Sequence, residues 1–432
     1  MYSHTLSRSL AAIAAGCLLT TLSVGSPTTA VAHWSTPNVA QRWSEVSGRA
    51  AIAACISPGA DALHESRMYA MASLAAHDAA NAIDRRYTSY ALRGVHRPGA
   101  SVTAAVSSAY RTTLLAAIAE LPDMFADCRP AAVQVVEAAY AAELGRVRSG
   151  PAKDAGVALG VDAARAVIAG RAGDGSDTPL LVPDYPQGTM PGQWRFTPDR
   201  PFAAGPGWGG VRTFALRGGE GRHVEPAYPL RSRAYARDLA EVKRLGGDGV
   251  TTRSARTADQ TQAALFWLES SPLQWNRIAR SILVARHADT WESLRLFGLL
   301  NMAMADGYIV SFDVKYRAPF WRPVTAIREA NADGNRRTTA DPTWTPLEVT
   351  PPLPDHDSAH SVEGAAAAGV MAMVFGTDRI SFSTCSLTLP EGQQCDDVTP
   401  TKRHFDSLSQ SAVENANSRV WVGIHFRHAT TV

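Results

Sequence analysis

The chain shows no large excess of either charge, no Cys-x-x-Cys pair and no alternating pattern sustained enough for a β-sheet protein. After its N-terminus it has no unbroken apolar run long enough to span a bilayer. A formal net charge of +2 over 432 residues excludes nucleic-acid binding through bulk charge, so any anion must be met by a few placed cations. The cysteine spacing excludes a zinc site of the usual kind, and no haem-attachment motif is present. With 45% apolar and 19% charged residues the composition is that of an ordinary folded protein.

What is present begins with an export signal. Arg8 precedes an apolar stretch, Leu10 to Val24, and Ala30-Val31-Ala32 fits a small-x-small cleavage site. The expectation is a secreted protein cut between Ala32 and His33, with no membrane attachment afterwards. Cleavage removes Cys17 and leaves Cys55, Cys128, Cys385 and Cys395. An even count in an exported chain suggests two disulfides, with three pairings possible. Cys385–Cys395 and Cys55–Cys128 are preferred because the first pair closes a short loop containing Pro390 and Gly392. Free buried thiols are the alternative.

Helical periodicity dominates the rest. Met68, Met71, Ala72, Ala75, Ala76, Ala79, Ala82 and Ile83 form one stripe, and Val106 to Leu121 a second that ends at Pro122. Pro130 opens a third helix with Val133, Val136, Tyr140 and Leu144 on one face, and a fourth runs from about Ala152 to a stop at Gly170. Residues 173–234 are rich in Gly and Pro and read as a long loop, either a lid or a packed strap. Thr257 and Gln260 fit a capping box, and Leu294 to Ala305 is apolar nearly all round, as in a central helix. The expected organisation is a signal segment, 1–32, and one all-α domain of packed helix bundles, 33–432. Within it, 33–172 would be the N-terminal helices, 173–234 the loop, and 235–432 the helices carrying the chemistry.

That chemistry sits in three short segments: Lys315 with Arg322-Pro323, Ser358-Ala359-His360 at the start of an alanine-rich helix, and Ser418-Arg419 with His425. Each alone has a plain reading as a solvated face, a helix N-cap or a structural histidine. Together they offer an ammonium, two guanidinium groups, a hydroxyl, helix-start amides and two imidazoles. That set suits a tetrahedral oxyanion. One imidazole can attack or ligate the central atom while the other moves protons.

The order and spacing of these segments resemble the type 2 phosphatidic acid phosphatase superfamily, and within it the bacterial secreted vanadium-dependent haloperoxidases. Met71 to Arg86, Arg171-Ala172-Gly173-Asp174-Gly175 and Pro191-Gly192-Gln193-Trp194 extend the resemblance upstream. It implies a haloperoxidase-like all-α fold. It implies that Lys315, Arg322 and Arg419 bind the oxygens of vanadate, that Ser358 and the Ala359 amide donate to them, and that His360 is the acid–base residue. His425 would bond to the metal, and Lys315 above all would polarise the peroxide. The implied reaction is oxidation of halide, or of a small organic acceptor, by hydrogen peroxide. One alternative is a secreted acid phosphatase, with phosphate in the site and a phospho-histidine at His425. Another is an inactive oxyanion-binding homologue.

The sequence departs from the family pattern at Asp357, at Ala359 in place of glycine, and at Ala429, where the pattern has an aspartate four residues after its histidine. Some other group, a backbone carbonyl or a side chain, is therefore expected to accept from the far nitrogen of His425. Phe320 and Trp321 could shape a halide pocket or pack in the core. His356 and His428 read as structural.

Overall fold

The computed structural model describes residues 36–217 and 227–431. The expected signal segment and its cleavage site lie outside the described residues, as does the 218–226 part of the long loop. The fold is all-α. The helices are α1 (Val39–Ala53), α2 (Ala62–Ile83), α3 (Val102–Ala119), α4 (Arg129–Gly145), α5 (Pro151–Arg171), α6 (Arg233–Leu245), α7 (Ala258–Phe266), α8 (Ser271–Ala285), α9 (Thr290–Arg317), α10 (Pro323–Arg328), α11 (Ala359–Phe375) and α12 (Leu408–Trp421). Two small antiparallel ladders join them, β1 (Leu181–Val182) with β2 (Ala203–Ala204), and β3 (Phe382–Thr384) with β4 (Arg403–Phe405).

Local signals explain the helix starts. Thr257 and Gln260 cap α7 reciprocally, and the same box recurs as Asn38 with Gln41 at α1 and Asp289 with Glu292 at α9. The stripe of α2 is buried from Met68 to Ala82, and its opposite side is buried too, so α2 runs through the main core beside α9. Asp78, fully buried there, accepts hydrogen bonds from the amides of Tyr90, Ala91 and Leu92 at 2.7, 2.6 and 2.8 Å. The face expected on α4 is only half covered: Val136 is buried and Val133 is exposed, because α4 lies at the outside against α1 and α3. Gly170 does not stop α5. Arg171 extends it, with its guanidinium on Asp174 at 2.8 Å, and the chain then turns at Gly173 with φ +58°.

Helices α3 and α5 approach closely because α5 carries glycine at the crossing. A Cβ added at Gly160 would stand 2.2 Å from the Ala105 carbonyl oxygen and 2.7 Å from the Ser108 Cβ. The nearest obstacle is backbone, so the helices must separate to admit it. Gly160→Ala should therefore destabilise the protein by about 1–3 kcal/mol despite the higher helix propensity of alanine. A urea melt shows this as a lower midpoint at unchanged slope, and an unchanged midpoint would refute it.

The long loop is a strap fastened at several points. Trp194 N–H donates to the Pro319 carbonyl at 2.9 Å, Trp321 N–H to Gly192 at 3.0 Å, and Ala204 N–H to Pro352 at 2.8 Å. Both disulfides occur as expected, Cys55–Cys128 and Cys385–Cys395, with Cα separations of 5.9 and 5.1 Å.

Candidate active site

Four helix ends deliver the three segments to one place. Lys315 sits in the last turn of α9, and Arg322 is the residue before the first turn of α10. Ser358 caps α11, its hydroxyl oxygen accepting from the Ser361 amide at 3.4 Å, so its own proton remains available to donate. Arg419 lies in the last turn of α12, and the chain reverses at Gly423, where φ is +88° and an added Cβ would stand 2.4 Å from the Gly246 carbonyl oxygen, leaving no room for a side chain. The reversal brings the His425 amide back onto the Arg419 carbonyl at 3.2 Å. Lys315, Arg322, Ala359, His360, Arg419 and His425 line one cavity of about 300 Å³; Ser358, the residue before Ala359, is fully buried and is not among the lining. Ala359 replaces glycine without strain because it is the first residue of α11, in ordinary helical conformation. The first N–H groups of α11, which a helix cannot satisfy internally, belong to residues lining this cavity.

Arg419 Nη2 and His360 Nε2 are buried with no protein partner among the described residues. Arg322 Nη1 donates to the Ile424 carbonyl at 2.8 Å and lies 2.9 Å from His425 Nε2, while its Nε donates to the Leu353 carbonyl at 2.6 Å. Unsatisfied buried polar groups are costly. Here an unpaired guanidinium N–H and an unpaired ring nitrogen belong to residues lining one space, which a bound, partly protonated oxyanion would satisfy.

Lys315 is arranged differently from expectation. Its ammonium donates to the carbonyls of Pro354, at 2.9 Å, Asp355, at 3.2 Å, and Asp357. All three of its protons are thereby directed at the turn before α11. It lines the cavity as a charge, with its hydrogen bonds committed to holding that turn.

Burial dominates the electrostatics. Desolvation, with Arg322 nearby, lowers Lys315 to about 7, against the opposing pull of Asp357 and Asp355. Desolvation lowers Arg322 to about 10 and Arg419 to about 9. His360 and His425 are held well below the usual histidine range by burial and the surrounding cations, which favours the neutral ring at both. Asp355 is raised to about 7 by burial, against Arg322 and Lys315. As pH rises through about 7, Lys315 loses its positive charge and Asp355 gains a negative one. Both changes disfavour an anion. Sulfate, whose charge is fixed over this range, should bind roughly tenfold more weakly at pH 8 than at pH 6. Calorimetric titration checks this, and a flat profile would refute it.

The remaining candidates take structural places. Asp357 turns its carboxyl to Ser311, whose hydroxyl donates at 2.5 Å, and burial raises its pKa. Phe320 and Trp321 are buried in a core cluster with Tyr235 and Phe426 and do not line the cavity. His356 stacks on His428 with ring centroids 4.9 Å apart. A larger groove of about 580 Å³ between α9 and α11 contains one acid, Asp306, whose oxygens accept from the amides of Phe214, Ala215 and Leu216. Sequence reasoning passed over Asp355, which lies with Oδ1 3.0 Å from His425 Nδ1.

The family model of the VCPO second helical-bundle domain matches residues 295–432. The vanadium chloroperoxidase of Curvularia inaequalis is 26% identical over 236 residues, covering 42% of this chain and 38% of that protein. The chain thus matches well under half the length of this curated relative. Among solved structures, a bacterial vanadium-dependent iodoperoxidase superposes with a TM-score of 0.71 at 24% identity, over 91% of this chain and 92% of that one. A bacterial vanadium-dependent chloroperoxidase in its apo form gives 0.66 at 14% identity, over 86% and 90%.

Proposed function

We propose that this chain, which matches the vanadium haloperoxidase family over residues 295–432 and shares its fold, binds vanadate in the cavity around His425 and oxidises halide with hydrogen peroxide. The observation that carries this reading is a buried, unpartnered guanidinium nitrogen, Arg419 Nη2, lining the same cavity as the imidazoles of His425 and His360, the latter with Nε2 unpartnered, together with Arg322 and the first turn of α11. Vanadate bound there supplies Lewis-acid activation of peroxide. Arg322 and Arg419 would bind the vanadate oxygens, with the Ser358 hydroxyl and the first α11 amides as further donors. His425 presents the Nε2 lone pair. Making hypohalous acid and water from peroxide and halide takes up one proton, and His360 Nε2, neutral and facing the cavity, is placed to move it. Lys315 contributes charge and keeps the α11 turn in place. Apolar side chains lining the cavity, among them Leu180, Leu268 and Phe312, suit a small organic acceptor. Secretion through the 1–32 signal is part of the same proposal.

The purified protein with added orthovanadate should oxidise iodide or bromide in the presence of hydrogen peroxide and should not hydrolyse p-nitrophenyl phosphate. A phosphatase would show the reverse, with vanadate as inhibitor. Vanadate binding without either activity would indicate an inactive homologue.

A further inference from the structure

An imidazole that must offer one nitrogen as a lone pair needs its other nitrogen protonated and held. At His425 a donor, Arg322 Nη1, lies 2.9 Å from Nε2 and 3.3 Å from Nδ1, so it approaches both ring nitrogens and does not choose between them. Asp355 does distinguish them: its Oδ1 lies 3.0 Å from Nδ1, at ion-pair distance and short of the alignment of a linear hydrogen bond. Both side chains are buried, at 5% and 1% exposure, so water does not compete for either. The Asp355 carboxylate also accepts from the backbone of Phe426, the residue after His425. Ala429 offers only a methyl group, and its carbonyl accepts from the Ser358 amide at 2.8 Å.

We propose that Asp355 is the positioning residue of His425, accepting the Nδ1 proton so that the Nε2 lone pair faces the cavity, and that Lys315 holds the turn which delivers it. Asp355 reaches the histidine from a different chain segment, just before α11. That segment has little regular structure of its own to fix it. Its rigidity comes from Lys315, whose ammonium gathers the Pro354, Asp355 and Asp357 carbonyls from the far end of α9. The inference rests on the reading of His425 as the vanadate ligand, but the tautomer it specifies is a property of the protein alone.

The test is nitrogen NMR of the His425 ring in the vanadate-free protein, together with vanadate affinity by calorimetry, on wild type, Asp355→Asn and Asp355→Leu. Asparagine preserves volume and folding. With its oxygen on the Phe426 amide, it would turn an N–H₂ donor toward Nδ1 and favour the opposite tautomer. Wild type should show the Nδ1–H form. Both variants should shift toward Nε2–H and bind vanadate about 10- to 100-fold more weakly. A purely structural role for Asp355 would leave the tautomer unmoved in the asparagine variant. Retention of the wild-type tautomer in both variants overturns the proposal. If the wild-type protein fails to bind vanadate, the functional reading falls, and the tautomer alone then decides for or against Asp355.

Discussion

His425→Ala should eliminate vanadate-supported halide oxidation, lowering turnover by at least the roughly hundred- to thousandfold associated with losing one central stabilising group. The cavity contains two neutral nitrogens able to present a lone pair, on His425 and His360, and the two are not interchangeable. His360 projects from the first turn of α11, and a hydrogen bond to the Glu269 backbone fixes its ring from behind. The other lining cations, Lys315, Arg322 and Arg419, are hydrogen-bond donors. Removing the imidazole should therefore delete the proposed bond to vanadium while leaving much of the oxyanion cradle. Sulfate affinity should fall far less than turnover. Measuring both on the same preparation separates loss of the ligand from collapse of the site. Full vanadate-dependent turnover in this variant would end the proposed mechanism.

Opening the Cys55–Cys128 bridge should cost about 4 kcal/mol of stability, against about 3 kcal/mol for Cys385–Cys395, by the entropy of closing loops of different length. The two bridges span 73 and 10 residues. The longer one ties the end of α1 to the start of α4, and Arg42 of α1 reaches Glu143 near the end of α4 with two contacts of 2.6 Å. The bridge and the ion pair thus pin both ends of a helix that buries little apolar surface of its own. Paired serine substitutions, Cys55→Ser with Cys128→Ser and Cys385→Ser with Cys395→Ser, compared in guanidinium, test the order. A larger loss from the shorter loop would contradict it.

Much of the site was legible because its residues bear chemistry at fixed short spacings: Lys315 with Arg322, Ser358 with His360, Arg419 with His425. The long helices were legible for the same local reason, periodicity. Two helices that went unread had usable signals, Asn38 with Gln41 before α1 and Ser232 before α6. Asp355 was not legible, because nothing in Pro354-Asp355-His356 says that its carboxylate will meet a residue 70 positions later. Nor was the commitment of Lys315 to three carbonyls. A sequence shows that an ammonium is present, and only the packed turn shows where its protons point. The exposed side of α4 escaped for a related reason: Val133 has the right period, but no neighbouring element covers it.

The fastened strap bears on the order in which the protein acquires its properties. Gly192 and Trp194 bond to Trp321 and Pro319 on either side of the approach to Arg322, and Ala204 bonds to Pro352 in the approach to Asp355. These pairings join positions more than a hundred residues apart, and such contacts form slowly because long loops must close first. Helix content can be nearly complete while Arg322 and the turn before α11 still lack their backbone partners. Competence to bind an oxyanion should therefore arrive late in refolding, after far-ultraviolet ellipticity has recovered, and a refolding chain sampled in between would be helical, compact and blind to sulfate.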